Sequence, residues 1–77
     1  MKEVTITIFV PTYSNWSASE LMYIYARNNR GVEFFRDKYM KSYLYLKDKI
    51  YRCKSWTISP DPENEDVNKV TIYLEEI

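Results

Sequence analysis

The 77-residue chain sets 11 Lys and Arg against 11 Asp and Glu, for a formal net charge of zero, and has one Gly, one Cys and no His. That length makes one domain with a small core. The missing His removes the one side chain that titrates near neutrality without perturbation, the single Gly31 rules out a Gly-rich phosphate loop, and the single Cys53 rules out an internal disulfide.

Met1-Lys2-Glu3 carries no cationic excess, and Val4 to Val10 is interrupted by Thr5 and Thr7, so the start does not read as a signal peptide. The longest apolar run, Leu21 to Ala26, falls far short of the roughly 20 residues that cross a bilayer. The expectation is a protein of the cytoplasm, with no membrane partner. Hydrophobic residues make up 45% of the chain and aromatics 17%, too apolar a composition for disorder. Eight of the 13 aromatics are Tyr, which suits both a small core and a binding face.

Val4, Ile6, Ile8 and Val10 alternate with Thr5, Thr7 and Phe9, the period of a half-buried strand, which Pro11 ends. Residues 12–16 form a polar and aromatic connection. Ser17-Ala18-Ser19-Glu20 is a capping box, and Leu21, Ile24 and Tyr25 follow at helical spacing. Asn28-Asn29-Arg30-Gly31 provides a stop, so a helix is predicted over about 18–29.

The next stretch supports two readings. Val32, Phe35, Tyr39, Tyr43 and Leu46 lie at helical spacing, which allows a second long helix over 32–49. Against it, Tyr39 to Leu46 is dense in aromatics, Lys47-Asp48-Lys49 fits a three-residue turn, and 50–59 is rich in strand formers. A hairpin pairing 39–46 with 50–59 is the preferred reading. Tyr51 and Cys53 fall on one parity and Trp56 and Ile58 on the other, so a bulge near Lys54-Ser55 is expected to bring all four to one face. Pro60 to Asp66 reads as an acidic loop. Val70, Ile72 and Leu74 then mark a last strand, antiparallel to the one before it. The predicted fold is α+β, an antiparallel sheet of three to four strands with one helix.

The zero net charge hides a segregation. Residues 27–54 hold nine cations against three acids, for +6, residues 55–77 come to −5, and residues 1–26 to −1. The basic middle, with Arg36, Lys38, Tyr39, Lys41, Tyr43, Tyr45, Lys47, Lys49, Tyr51 and Arg52, is one candidate surface for a partner protein or for nucleic acid. In the nucleic-acid reading cations meet phosphates and rings stack on bases. The alternative is an ordinary solvated face whose cations meet the acids of the last third across the sheet. The acids Asp61, Glu63, Glu65 and Asp66 form the second candidate surface. They match only the opening of a calcium loop, lacking its Gly and its closing Glu, so neither metal nor cofactor is expected.

Catalytic arrangements are absent. No Ser is followed three residues later by Lys, and Glu75 and Glu76, adjacent in a strand, point to opposite faces. Cys53 between Arg52 and Lys54 has two readings, a thiol with lowered pKa or a small core residue.

The segment Tyr45-Leu46-Lys47-Asp48-Lys49-Ile50-Tyr51-Arg52-Cys53-Lys54-Ser55-Trp56 resembles hairpins in small bacteriophage and prophage accessory proteins. The resemblance implies a viral, non-enzymatic protein in the host cytoplasm that binds and inhibits a host protein, in some cases one of a defence system. The competing expectations are a single-stranded nucleic-acid binder or nucleotide-sequestering protein, and a structural part of a virion. A homo-oligomer suits all three, because so short a chain has a marginal core and no net charge to keep copies apart.

Overall fold

The computed structural model describes residues 3–12 and 15–77. Tyr13 and Ser14, within the connection read over 12–16, lie outside the described residues, as do Met1 and Lys2. The chain runs β1 (Glu3–Pro11), α1 (Ala18–Asn28), β2 (Glu33–Arg36), β3 (Ser42–Leu46), β4 (Lys49–Asp61) and β5 (Asn64–Glu76). The strands form one sheet in the order β1-β5-β4-β3-β2, antiparallel at every step. The α+β architecture is as expected, but the sheet has five strands rather than three to four.

Strand β1 is the alternating segment of the sequence. Ile6, Ile8 and Val10 are buried, while Thr5, Thr7 and Phe9 face away from the core. The Ser17 hydroxyl accepts from the Glu20 N–H and the Glu20 carboxylate accepts from the Ser17 N–H, so the capping box starts α1 as read. The helix stops at the predicted place: Asn29 caps it, its N–H bonding to the Ala26 carbonyl, and Gly31 takes up the left-handed turn at φ 85°. From there α1, which has crossed the sheet from one edge strand toward the other, delivers the chain to β2.

The second helix over 32–49 does not form. Glu33–Arg36 pairs with Ser42–Tyr45 as a hairpin, and burial of Leu44 and Leu46 beneath α1 outweighs the local helical spacing. The link between β3 and β4 has two residues, not three. Leu46 pairs with Lys49, and Lys47 and Asp48 both take positive φ, as the tight hairpin turn that matches sheet twist requires.

Lys54 is the extra residue of a bulge: Cys53 pairs with Leu74 and Ser55 with Tyr73. Tyr51, Cys53, Trp56 and Ile58 therefore all stand opposite the core side of β5, as the sequence parity demanded. The acidic loop over 60–66 is the largest departure from expectation. Strand β4 continues through Pro60 to Asp61, Pro62 and Glu63 make the turn, and β5 begins at Asn64. Pro60 is tolerated because β3 pairs with β4 only from Lys49 to Tyr51 and leaves this part of β4 bonded on one side only. The ladder alternation set by the Ile77 N–H to Ile50 carbonyl bond turns the Pro60 nitrogen to the free side.

One face of the sheet, the helix face, holds the core. Leu21 and Met22 of α1 close over Ile6, Ile8, Val10, Leu44, Leu46, Tyr51, Val70, Ile72 and Leu74, with no buried polar or charged residue among those described. The other face of the sheet is open.

Candidate partner-binding face

Alternation along the strands decides which aromatics reach the open face. Glu33 and Phe35 of β2 share it with Tyr43 and Tyr45 of β3 and Ile50 of β4. Ile77 joins them through its N–H bond to the Ile50 carbonyl. The Phe35 and Tyr43 rings stack with centroids 5.3 Å apart. Together with Asp37, Ile50 and Ile77 they line a shallow depression of about 250 Å³. Ile77 is 62% exposed and Ile50 40%, a cost in water that a partner would remove.

The turn between β2 and β3 fixes these rings in place. Asp37 Oδ1 accepts from the N–H groups of Tyr39 and Lys41, at 2.8 and 3.0 Å, and Oδ2 accepts from the Tyr43 hydroxyl at 3.1 Å. These donors, the Lys41 N–H foremost, hold the Asp37 carboxyl below its ordinary 3.8, while burial and then the Asp37 carboxylate push the Tyr43 phenol up. The Tyr45 hydroxyl donates to Asp48 Oδ1 at 3.1 Å, a bond that raises its pKa. Both tyrosines are thereby oriented before any partner arrives, which reduces the ordering cost of binding.

A lowered carboxyl pKa stabilises the fold above its unfolded value, and that contribution is lost as pH falls through the folded value. Acidification below about pH 4 is therefore expected to loosen the 37–43 turn. Amide signals of Tyr39 and Lys41 followed by NMR across that range check this. Asp37→Asn should abolish the acid-dependent change and leave these amides already perturbed at neutral pH.

A second depression, of about 510 Å³, lies on the helix face between α1 and β2. Trp16, Tyr23, Ile24 and Phe34 supply its apolar wall, with Tyr23 and Phe34 meeting edge to face at 5.7 Å. Arg27 and Arg36 stand at its margin. The Arg36 guanidinium donates to Ser19 Oγ at 2.8 Å and lies 5.7 Å from the Phe34 ring centre.

The residues of the basic segment do not form one surface. Tyr43, Tyr45 and Arg52 reach the open face, whereas Arg36 turns to the helix face. Lys38, Tyr39 and Lys41 occupy the β2–β3 turn, Lys38 Nζ lying 5.2 Å from the Tyr39 ring centre, and Lys47 occupies the β3–β4 turn. Tyr51 is a correction: at 3% exposure it belongs to the core and offers nothing to a partner.

The basic middle meets the acids of the termini. Lys49 pairs with Glu76 at 3.4 Å, Arg52 with Glu75 at 2.6 Å and Lys54 with Glu3 at 3.0 Å. Glu75 and Glu76 find their partners on opposite faces, as two adjacent strand residues must. Asp61, Glu63, Glu65 and Asp66 cluster at the tip of the β4–β5 hairpin, about 25 Å beyond the end of β3 by strand rise. Asp61 Oδ1 is engaged there by the Glu63 N–H. Among the described residues no three Cys, Asp or Glu side chains are grouped as metal ligands. Cys53 takes its core reading: it faces the helix side, while Arg52 and the bulged Lys54 reach their acids elsewhere, and burial pushes its thiol pKa up.

Phe35, Ile50 and Ile77 were not singled out from sequence. The available signal was the period-two pattern of Glu33 to Arg36, which sends Phe34 and Phe35 to opposite faces. No described helix is long and apolar enough to cross a membrane. Comparison with protein-family models, with curated proteins and with solved structures finds no match to this chain.

Proposed function

We propose that this chain is a non-catalytic protein-binding module and that the aromatic patch of Phe35, Tyr43, Tyr45, Ile50 and Ile77 is its contact surface. The phage resemblance of residues 45–56 makes the partner a host protein, inhibited by being bound. The observation that carries the reading is the stacked, hydroxyl-anchored pair of Phe35 and Tyr43 in an exposed depression. Fixed aromatics in such a setting are the usual energetic centre of an interface, and the charged groups around them form its rim. The nucleic-acid reading has less support, because the cations it needs are divided between two faces and three of them are paired with carboxylates.

The test is a pull-down from host lysate with the wild-type chain and with Phe35→Ser and Tyr43→Ser, singly and together. The wild type should retain a stoichiometric protein partner. Each substitution should weaken its affinity about 30-fold, the scale of a binding hot spot. Failure to retain any partner, or equal retention by the double variant, counts against the proposal.

A further inference from the structure

Strand β1 is an edge of the sheet, and its inner side pairs with β5 without a single register shift from Glu3 to Pro11. The Thr12 N–H bonds to the Asp66 carbonyl, which makes that pair a hydrogen-bonded one. Alternation along an antiparallel ladder then commits the backbone groups of Val4, Ile6, Ile8 and Val10 to β5. The N–H and C=O groups of Thr5, Thr7 and Phe9 point outward, with no backbone partner among the described residues. Pro11, at the end of the row, would also have pointed its N–H outward and has none to offer.

Edges of this kind are ordinarily blunted by a charge, a proline or a bulge within the strand. From Val4 to Val10 there is none of these, and every residue is Val, Ile, Thr or Phe. Phe9, on the open face, is 58% exposed.

We propose that β1 pairs antiparallel with β1 of a second copy, about a two-fold axis at Thr7, to make a continuous ten-stranded sheet. The strand is self-complementary in that register. On the helix face Val4 meets Val10 of the other copy and Ile6 meets Ile8. On the open face Thr7 meets Thr7 and Thr5 meets Phe9, a β-branched residue against an aromatic ring. All the outward groups of Thr5, Thr7 and Phe9 find partners, six hydrogen bonds for the two copies by ladder geometry.

Charge agrees with this choice of occupant. No like charges face each other across the pairing: Val4 to Val10 carry none, and Glu3 of each copy stands opposite Pro11 of the other while held by Lys54 of its own chain at 3.0 Å. A partner with a charged edge would gain less from so neutral a strand than a second copy does.

The pairing is tested by sedimentation equilibrium of the full chain, alone and with Thr7→Lys or Thr7→Glu. Thr7 is exposed and lies opposite itself at the axis, so either substitution sets like charges face to face without touching the core. The wild type should dimerise with concentration, and each variant should weaken the dimer at least about tenfold. An equimolar mixture of the Lys and Glu variants should restore it. Hydrogen exchange gives a separate readout that does not depend on the variants: the amides of Thr5, Thr7 and Phe9 should become protected as wild-type concentration rises, while those of Ile6 and Ile8 are protected throughout. A wild type that stays monomeric at about 1 mM overturns the proposal. So does a dimer indifferent to both charges, or a monomeric wild type whose Thr5, Thr7 and Phe9 amides are protected only by an added foreign strand. The aromatic patch lies toward the opposite edge of the sheet, so loss of the dimer and loss of the partner are separable results.

Discussion

Replacing Ile72 with Ala is expected to unfold the protein at physiological temperature. Ile72 is fully buried, sits on the interior strand β5 between Ile6 of β1 and Trp56 of β4, and lies on the face covered by α1. Removing buried carbons from such a site costs the transfer free energy and leaves a cavity, together about 2–5 kcal/mol for Ile to Ala. A core of this size supplies no more than about 3–5 kcal/mol of net stability. The substitution therefore consumes most or all of the margin. Urea unfolding followed by circular dichroism measures it, with Thr57→Ala as the comparison. Thr57 is exposed on the open face, and its loss should change stability by less than about 0.5 kcal/mol. Equal effects at the two positions would contradict the assignment of faces.

Inserting one alanine between Ser55 and Trp56 should be as damaging, for a different reason. The bulge at Lys54 absorbs the single extra position in β4, so that Tyr51 and Cys53 share a face with Trp56 and Ile58. A second extra residue has no bulge to absorb it, and the strand beyond must slip by one. Trp56 and Ile58 would turn to the open side, and Thr57 and Ser59 would turn toward the core. Loss of dispersed NMR amide signals, or of cooperative urea unfolding, is the expected result. Deleting Lys54 instead joins Cys53 to Ser55 in a regular ladder, still opposite Leu74 and Tyr73, and loses only an exposed ion pair with Glu3, so that variant should fold like the wild type. If the insertion and the deletion behave alike, the bulge does not set the register.

The fold was legible wherever local chemistry and burial agreed. The alternation of Val4 to Val10, the capping box at Ser17 and the parity break around Lys54 each have a direct physical cause in a few neighbouring residues, and each appears in the structure. Residues 32–46 were ambiguous because their apolar spacing satisfies a helix as well as a hairpin, and only the place left beneath α1 for Leu44 and Leu46 decides between them. The acidic stretch failed for a related reason. Its prolines read as a loop, but a proline is compatible with a strand whose neighbour has already ended, and that ending is a property of the sheet.

The candidate site was half legible. Tyr43 and Tyr45 were singled out from aromatic density, yet that criterion cannot say which way a ring points. It counted Tyr51, which is core, and passed over Phe35, Ile50 and Ile77. Segregation of charge along the chain likewise did not survive as segregation in space, because antiparallel pairing sets Lys49 and Arg52 beside Glu76 and Glu75.

The strand order has a consequence for how the chain reaches this state. Strands β2 to β5 form a meander whose contacts close over short connections, so each hairpin can form locally. Strand β1 instead joins β5 across a separation of roughly 60 residues, and the entropy of closing so long a loop must be met before any of its contacts return free energy. The meander is thus the natural nucleus, and β1 is added to a sheet that already exists. Until that happens the polypeptide has a second, temporary open edge along Val70, Ile72 and Leu74, all three of them fully buried in the finished sheet. The slow step in acquiring the native topology is therefore also the interval in which the chain is most exposed to aggregation.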